Sequence, residues 1–504
     1  MQRLLALPLF LVLTIITCAS MILPAAVALA GEDFHDARSF FYAGLVGLVL
    51  CVMIAVAQAT RVHNQSALRQ LLALLAAFLV LPAIMAVPFY EAVRTTTFVN
   101  AYFEMVSSFT TTGATLFEPS RLSATEHLWR AQVGWLGGLL MWVAAAAILA
   151  PLTLGGFEVT ALGEPGQTAP ADRGRRAIAD PARRLSRSLH ALLPVYAGLT
   201  LAMWILLQVL GDSPLVALCH AMSVMATSGI SPVGGAQFAT SGIAGEVILF
   251  LFMFFALSRL TFSGDTGNSS RSGLRDDPEF RMGLVIVVTV PTVLFLRHWL
   301  ASFDVGDEEN LIAGIRAYWG AMFTTLSFLT TTGFISADWS TAQNWSGLST
   351  PGLILLGLAL IGGGVATTAG GVKLLRVFAL YLNGLREIEK LVHPSSVGRS
   401  SIMSRRIRKE GAFIAWVFFM LFAITLAAVA LGLAALGVAF EPSFVLAIAA
   451  LTNTGPLIAV AAEAPIAVSQ MGPGIKAFLG LAMVLGRVEM LALFVMFNPD
   501  MWRD

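Results

Sequence analysis

Charged residues are scarce in this chain. Only 12% of its 504 residues are Asp, Glu, Lys or Arg, whereas soluble domains carry about 25%. Apolar residues make up 57% of the sequence, and the mean hydropathy is +0.80. This composition excludes an ordinary soluble protein. It indicates an integral membrane protein, for which we expect membrane lipid around the chain and no nucleic-acid partner.

Cysteine and the common catalytic motifs are also sparse. The three cysteines, Cys18, Cys51 and Cys219, lie in separate apolar segments, so we expect small buried side chains rather than metal ligands. HExxH, GxSxG and Walker A patterns do not occur in the sequence, and its seven histidines form no ligand-spaced pair. The sequence therefore predicts no enzyme, no catalytic residue and no nucleotide or other cofactor held by this chain.

Long apolar runs are what the chain has instead. A helix needs about 20 apolar residues to cross a bilayer, and about ten stretches approach or exceed this length. They begin near Leu4, Phe41, Leu71, Val133, Leu189, Ala244, Met282, Pro351, Ala412 and Ile475. The first run ends at Ala30 like a signal peptide, but it is 27 residues long, whereas a signal sequence has about 7–15 apolar residues. We therefore favour a retained first helix over a cleaved one.

Lys and Arg cluster in three loops, within residues 172–187, 259–281 and 373–409. The positive-inside rule places such loops in the cytoplasm. If the first helix is retained and the N-terminus is cytoplasmic, successive spans place all three loops on the cytoplasmic side. The acidic loop Asp304–Asn310 then lies outside, where it is either ordinary solvated chain or a means of concentrating cations.

Four segments of the chain resemble one another around a glycine. In each, two polar residues precede the glycine, and apolar side chains lie four, seven and eleven residues before it. The four glycines are Gly113, Gly229, Gly333 and Gly455. Apolar residues at these spacings share one face of a helix, so each segment is predicted to be a short helix that ends in a glycine loop.

Each of these segments lies between two long spans. A helix of about 12 residues is roughly 18 Å long and cannot cross a hydrocarbon core of about 30 Å, so it must enter the membrane and turn back. The predicted fold is an all-α polytopic membrane protein with four pseudo-repeats of helix, re-entrant short helix with glycine loop, and helix around a central pore, plus two extra N-terminal transmembrane helices. The predicted boundaries are 1–66 for the extra helices, 67–156, 189–264, 282–391 and 411–504 for the repeats, and 157–188, 265–281 and 392–410 for basic cytoplasmic linkers.

The glycine loops suit the binding of a cation. Glycine allows successive carbonyls to point the same way, and a ring of carbonyl oxygens can replace the hydration shell of an ion. The C-terminal ends of four short helices would add about half a negative charge each. The alternative is that the glycine loops are sites of close helix packing through small residues. Four copies in the same register disfavour this alternative.

Several motifs together resemble the bacterial Trk/Ktr/HKT potassium-transporter superfamily, most closely its Trk-type membrane subunit. They are FEMVSSFTTTGAT in the first repeat, WLGG at Trp135–Gly138, ATSGIS at Ala226–Ser231, LTTTGFIS at Leu329–Ser336, IGGGVATTAGGVKLLR at Ile361–Arg376, NTGP at Asn453–Pro456 and GRVE at Gly486–Glu489. The resemblance implies K⁺ uptake across the bacterial inner membrane through a single-chain pseudo-tetrameric pore. It also implies a homodimer and a cytosolic, TrkA-like nucleotide-binding regulatory subunit on the basic inner face.

The resemblance further implies which residues form the K⁺ filter. They are Thr111, Thr112, Gly113 and Ala114; Thr227, Ser228, Gly229 and Ile230; Thr331, Thr332, Gly333 and Phe334; and Asn453, Thr454, Gly455 and Pro456. In the fourth set Asn453 and Pro456 depart from the pattern of the other three, so we expect the four loops to coordinate the ion unequally. With one glycine in each loop, we expect modest discrimination between K⁺ and Na⁺.

A glycine-rich break interrupts the predicted second span of the third repeat. Its Gly and Thr residues make a weak helix; they are Gly362, Gly363, Gly364, Thr367, Thr368, Gly370 and Gly371. The resemblance implies a mobile intramembrane gate loop beneath the filter, moved by a regulatory subunit that acts on the nearby basic residues. Close helix packing through small residues is the alternative.

Three further residues stand out inside apolar segments. Arg487 lies within the last span, where a charge is costly; the resemblance implies a barrier to cations beside the pore, and the alternative is a structural arginine bonded to carbonyls or acids. Glu104, in the first short helix, either attracts cations from behind the filter or, the interpretation we favour, anchors hydrogen bonds. His220 is interpreted as a packing residue.

One functional alternative stays open, namely symport of K⁺ with Na⁺ or H⁺ in the same family. Ion-coupled carriers often contain inverted or two-fold repeats, whereas the four repeats here run in the same direction. The sequence alone does not decide between a gated pore and a carrier.

Overall fold

The chain folds into a bundle of helices. The computed structural model describes residues 8–58, 67–159, 181–258, 277–301, 311–348, 350–393, 409–462 and 464–496. Most of the predicted cytoplasmic linkers and the acidic loop Asp304–Asn310 lie outside these residues. Every regular element of the described part is helical, which confirms the predicted all-α fold class.

The α-helices of the described part are numbered in chain order. They are α1 (Leu9–Ser20), α2 (Ile22–Ala30), α3 (Phe34–Gln58), α4 (Ala67–Val93), α5 (Phe98–Phe109), α6 (Ala124–Ala144), α7 (Pro181–Val209), α8 (Pro214–Ala226), α9 (Gly242–Met253), α10 (Pro278–Ala301), α11 (Leu311–Leu329), α12 (Trp339–Ser346), α13 (Gly352–Ile361), α14 (Leu374–Val392), α15 (Lys409–Ala435), α16 (Phe440–Leu451), α17 (Leu457–Val460), α18 (Pro473–Val488) and α19 (Met490–Met496).

Seven helical stretches of the described part are long and apolar enough to cross a membrane. They are Leu9–Ala30, Phe34–Gln58, Leu68–Val93, Ala124–Leu152, Arg184–Val209, Pro278–Arg297 and Gly411–Ala435. The sequence predicts about ten such spans. The difference lies in the second spans of repeats 2, 3 and 4, which are short or broken: α9 ends in a 3₁₀ turn, α13 stops at Gly362, and α18 stops at Glu489.

The four short helices sit inside a closed ring of repeats. Each repeat consists of a long helix, a short helix and a second helix, and the short helices are α5, α8, α11 and α16. The second helix of each repeat packs against the short helix of the next: α6 on α8, α9 on α11, α13 on α16 and α18 on α5. Because the last contact returns to the first repeat, the four units form a cycle.

The third short helix is longer than predicted. α5, α8 and α16 have 12, 13 and 12 residues, near the predicted length, but α11 has 19. Its first two turns pack on one side against α10 and α12, where Gly314 approaches Phe295 and Trp345. The other side is open, and Ile312 and Ile315 are 66% and 62% exposed. The prediction of about 12 residues is therefore wrong for this repeat, although the buried part of α11 has the expected register.

The short helices supply the core, while the outer spans supply the lipid-facing surface. Phe103, Val106, Phe323 and Ile448 are at most 1% exposed, whereas only 17% of the apolar window of α3 is buried. One large core cluster joins the N-terminal helices to repeats 1 and 4, and a second joins repeats 2 and 3 to parts of repeats 1 and 4. All three cysteines are buried, as predicted.

The close approach of α6 to the end of α5 gives a test of this packing. A Cβ on Gly137 would lie 1.9 Å from the carbonyl oxygen of Phe109, so we expect Gly137→Ala to force the two helices apart. Gly198 in α7 has open space around its Cβ position, so Gly198→Ala should be neutral or stabilising by about 1 kcal/mol. In detergent, purified Gly137→Ala should melt at a lower temperature than purified Gly198→Ala. Equal melting temperatures would contradict the packing.

Candidate functional site

Each short helix ends in a left-handed residue that is not glycine. This residue lies two positions before the glycine of the repeat, and φ is 57° at Thr111, 52° at Thr227, 57° at Thr331 and 53° at Asn453. Threonine is β-branched and rarely adopts this region, at a cost of about 1–3 kcal/mol for each residue. Strained backbone of this kind persists only where the surroundings hold it, and it clusters at functional sites.

The same backbone hydrogen bond closes all four helix ends. The residue before each glycine donates its N–H to the carbonyl five positions earlier: Thr112 to Ser107 (2.8 Å), Ser228 to Ser223 (2.9 Å), Thr332 to Ser327 (2.9 Å) and Thr454 to Ala449 (2.9 Å). This is the Schellman arrangement, which satisfies carbonyls that the helix leaves free. The four repeats therefore share one loop geometry as well as one sequence pattern.

The threonine triplets have a distinct task at each position. In the first repeat the Oγ1 of Thr110 donates to the carbonyl of Val106 (2.7 Å) and lies 2.8 Å from the Oγ1 of Thr112. The same hydroxyl pair recurs in the third and fourth repeats, at 3.0 and 3.2 Å. The first threonine thus anchors the third to the helix end, and the middle one takes the left-handed turn.

The four glycine loops, residues 110–114, 226–230, 330–334 and 452–456, touch one another in a ring. A Cβ built on each glycine would meet the next loop in the cycle at less than 3 Å. The closest approaches are Gly113 to the carbonyl oxygen of Ser228 (1.7 Å), Gly229 to that of Thr332 (2.4 Å), Gly333 to the Cγ of Pro456 (2.7 Å) and Gly455 to the nitrogen of Ala114 (2.2 Å). The predicted filter residues are therefore brought together at one place.

The fourth loop joins the first by hydrogen bonds. Gly455 donates its N–H to the carbonyl of Thr112 (2.6 Å). The Nδ2 of Asn453 donates to the Oγ1 of Thr112 (3.0 Å) and to the carbonyl of Met483 (2.9 Å). Gly113, Gly229 and Gly333 have φ between 65° and 81°, but Gly455 is outside the left-handed region. The fourth loop thus differs from the other three, and unequal coordination of an ion stays a prediction.

Besides the carbonyl of Thr112, a second predicted filter carbonyl of the first loop accepts a hydrogen bond. The Ser107 hydroxyl donates to the carbonyl of Ala114 at 2.6 Å, behind the loop rather than across the ring. A carbonyl oxygen has two lone pairs, so one remains. The first loop is consequently fixed from both sides, by Ser107 and by the fourth repeat.

Buried side chains hold the segment that follows each of the first three glycines. Glu104 accepts from the backbone N–H of Leu116 (3.0 Å) and pairs with the Nε of Arg130 at 2.6 Å, so it is an anchor, as favoured above. The corresponding residue of the second repeat is His220, whose Nε2 lies 2.8 Å from the Oγ of Ser231. His220 therefore does more than fill space.

Glu246 performs this task for the third loop from the preceding repeat. It is 2% exposed, and its carboxylate accepts from the Oγ of Ser336 (2.7 Å), the N–H of Ala337 (2.6 Å) and the Nε1 of Trp319 (2.9 Å). Glu246 is not among the site residues predicted from the sequence. Its signal was available, because Glu246 is the only charged residue within the apolar helix Gly242–Met253, and an intramembrane acid is a functional candidate by default.

The glycine-rich break, residues 362–371, lies directly against the glycine loops. The N–H of Gly370 donates to the Oγ1 of Thr331 (2.8 Å), and a Cβ on Gly370 would be 2.0 Å from the carbonyl oxygen of Thr452. The Oγ1 of Thr368 donates to the carbonyl of Met225 at the end of α8 (3.1 Å). The break therefore contacts repeats 2 and 4 as well as its own.

Arg487 bonds to this break. Its Nη1 donates to the carbonyl of Thr368 at 2.7 Å, and the side chain is 3% exposed. Among the described residues, its Nε and Nη2 find no hydrogen-bond partner. The arginine is thus bonded to a backbone carbonyl, as the structural alternative expected, yet it keeps two unsatisfied buried donors next to the loops.

Glu489 pairs with Arg376 and not with Arg487. It accepts from the Nη2 of Arg376 at 3.0 Å, and the Arg376 guanidinium also stacks 3.6 Å from the ring centre of Phe418. Arg376 is fully buried at the start of α14. This ion pair connects the helix after the break to the end of α18.

Comparisons with known proteins agree with this architecture. A profile of the TrkH family, described as a cation transport protein, matches residues 47–503. The chain belongs to the TrkH family. The Trk system potassium uptake protein TrkH of Salmonella typhimurium is 29% identical over 98% of both chains, and TrkH of Halomonas elongata is 30% identical over 80% of this chain and 79% of its own. The crystal structure of the potassium transporter TrkH from Vibrio parahaemolyticus superposes with a TM-score of 0.80 over the whole of both chains at 26% identity.

The fold and the family together make this chain a multi-pass membrane protein of a transport family, as the sequence predicts. The relatives named here are uptake proteins, so the expectation that the chain is not an enzyme agrees with its family.

The hydrogen bonds that Glu246 accepts give a test of the geometry of the third loop. Glu246→Gln keeps the size of the side chain, but it replaces one accepting oxygen by an NH₂ group that faces groups which themselves donate. We expect the third loop to lose about 1.5–3 kcal/mol of stabilisation and to loosen. The measured result should be a lower permeability ratio of K⁺ to Na⁺ in reconstituted liposomes. Asp212→Asn is the matched control, because Asp212 is also buried and accepts from Ser241 without touching a glycine loop. An unchanged permeability ratio in Glu246→Gln would show that these hydrogen bonds do not determine the loop geometry.

Proposed function

We propose that this chain takes up K⁺ across the bacterial inner membrane through a pore lined by its four glycine loops. The observation that carries the proposal is the closed contact ring of Gly113, Gly229, Gly333 and Gly455 with their neighbouring loops. Four helix C-termini end at this ring, so their partial negative charges add there. Carbonyl oxygens held by strained backbone can then replace water around a dehydrated cation. The named relatives are potassium uptake proteins, which supports the choice of ion.

We propose that the glycine-rich break is the gate of this pore. It contacts three of the four repeats next to the glycine loops, and Arg487 bonds to it with two donors left over. A buried guanidinium beside the path repels a cation that leaves the loops. The break is not α-helical, so it is not a seam between two helices, although its glycines lie close to the backbone of neighbouring elements.

The partners and orientation follow from the same reasoning. We propose that the chain forms a homodimer and that a TrkA-like, nucleotide-binding subunit acts on its basic cytoplasmic linkers. The described ends of these linkers at Val159, Ser258, Asp277 and Gly411 lie at one end of the bundle, since all four are near the glycine-rich break. This agrees with a common cytoplasmic side. Most of the linkers lie outside the described residues.

Gly113→Ser tests the pore. Gly113 has φ 74°, and its Cβ position lies 1.7 Å from the carbonyl oxygen of Ser228, so any side chain must push the second loop away. We expect K⁺ and Rb⁺ uptake to fall at least tenfold, or the selectivity over Na⁺ to be lost, in cells that lack their own K⁺ importers. Gly347→Ser is the matched control, because Gly347 also has positive φ (58°) but open space around it. Wild-type uptake in Gly113→Ser would overturn the proposal.

The same protein in liposomes distinguishes a pore from a carrier. A current that reverses at the K⁺ equilibrium potential, whatever the Na⁺ and H⁺ gradients, supports the pore. A reversal potential that follows either of those gradients would establish the symport alternative instead.

Removing the contact between Arg487 and the break tests the gate. We expect Arg487→Ala to raise K⁺ flux, because it removes both a hydrogen bond to Thr368 and a buried positive charge, and we expect Arg487→Lys to restore part of the block. Deletion of residues 362–371 should raise unregulated flux further. The control is Arg316→Ala, since Arg316 has a side chain 58% exposed. Lower or equal flux in well-folded Arg487→Ala and in the deletion would contradict a gate.

A further inference from the structure

Both described ends of the second basic linker, and one described end each of the first and the third, lie around one residue of the glycine-rich break. This residue is Val365, which is fully buried. We use "linker face" for the residues around it at which the chain enters or leaves the bundle: 155–159, 256–258, 277–279 and 411–415. The glycine loops lie on the opposite side of the break, against Thr368 and Gly370.

The second linker holds the break through its two ends. Before this linker, the carbonyl of Ala256 accepts from the N–H of Gly364 (2.9 Å). After it, the Oε1 of Glu279 accepts from the N–H of Val365 (3.0 Å), and Glu279 is 1% exposed. The Ser258 hydroxyl donates to the carboxylate of Asp277, which ties the two ends together. Two consecutive backbone N–H groups of the break are thus bonded to this linker.

The first and third linkers reach the same residue by apolar contact. A Cβ on Gly156 would lie 2.3 Å from the Cγ2 of Val365. Val159 and Val365 share a small buried cluster with Leu375 and Ala415. Gly411, at the start of α15, packs so tightly on Val159 that a Cβ there would be 2.4 Å from its carbonyl oxygen.

We propose that Val365 is the junction through which the linkers control the break, and that Glu279 is the positioning residue that holds it. The inference rests on the proposed gate and adds where its control enters. A buried N–H that loses its only close acceptor in an apolar site is strongly disfavoured. Displacing Glu279 therefore removes one of the two backbone bonds between the break and the second linker, while the bonds of Thr368 and Gly370 on the other side are untouched.

The first experiment removes the acceptor. Purified full-length chain in liposomes, without any added partner, should show about a tenfold rise in Rb⁺ flux for Glu279→Ala, the effect of losing one hydrogen bond to a charged group. Glu279→Gln keeps an oxygen for the N–H of Val365 and should restore most of the block. The permeability ratio of K⁺ to Na⁺ should stay at the wild-type value in both variants, because neither touches a glycine loop.

Asp212→Ala is the matched control for loss of a buried carboxylate. Asp212 is 5% exposed and accepts from the N–H of Ser241 at 2.8 Å, outside the break and the linker face. Its flux should equal that of the wild type. A rise in Asp212→Ala as large as that in Glu279→Ala, or wild-type flux in Glu279→Ala, would overturn the inference.

The second experiment locks the junction. The Cβ position of Gly156 is 3.2 Å from the Cβ of Val365, close to the separation of about 3.5–4.5 Å in a disulfide. In the double variant Gly156→Cys and Val365→Cys, copper phenanthroline should remove two electrons and two protons to form the bond. Flux should then fall, and a thiol reductant should restore it. Neither single variant should respond, and an oxidised double variant that conducts like its reduced form would exclude the junction.

The outcomes separate this inference from the proposed function. If Gly113→Ser and Arg487→Ala leave transport unchanged, the pore and its gate fail, and the junction fails with them. If those variants behave as expected while the Glu279 and disulfide variants do not, the gate stands and its control enters elsewhere.

Discussion

Unpaired backbone is the constraint on which this structure depends. Four short helices end inside the bundle, where their terminal N–H and C=O groups are buried. An unsatisfied N–H or C=O in that position is costly. All four helix ends have the same arrangement. A residue in the left-handed region is followed by one whose N–H donates a hydrogen bond back to the helix, and the loop lies in close contact with its neighbour. The strain at three threonines is acceptable because each loop is held by the next.

The ring is closed in an uneven way. Three junctions between loops are close contacts, whereas the junction of the fourth loop with the first is hydrogen-bonded, through Asn453 and Gly455 to Thr112. A single chain can differ in each repeat, which a tetramer of identical subunits cannot do. Thr112 is bonded to the fourth loop, and Ser107 and Glu104 hold the first loop from its own repeat as well. A different set of bonds at each loop is a physical basis for unequal coordination.

Local patterns allowed much of this to be predicted from the sequence, and distant contacts did not. The glycine repeats, the break and Arg487 are visible because helix periodicity and small residues act over a few positions. The left-handed residue was not predicted, because glycine would be the usual choice there and the sequence has threonine or asparagine. Glu279 was missed because its partner lies 86 residues away, and no spacing rule reaches so far. For Glu246 the isolated charge in an apolar helix was visible in the sequence, but its partner, 90 residues away, was not. The predicted length of α11 was wrong because its first turns pack against α12, a helix of the third repeat that the glycine pattern does not predict.

The glycine-rich break is bonded on both sides, and this has a consequence for how it can move. Thr368 and Gly370 bind the glycine loops and Arg487, while Gly364 and Val365 bind the linker face. Only a few residues separate the two sets, and the break has glycines at both ends, with φ 74° at Gly362 and 77° at Gly371. A force at the linker face therefore reaches the loops through a short segment rather than through a helix. A change in linker position can shift the equilibrium between two arrangements only by its differential contact with them, and the contacts at Val365 are those that a moving linker would change first.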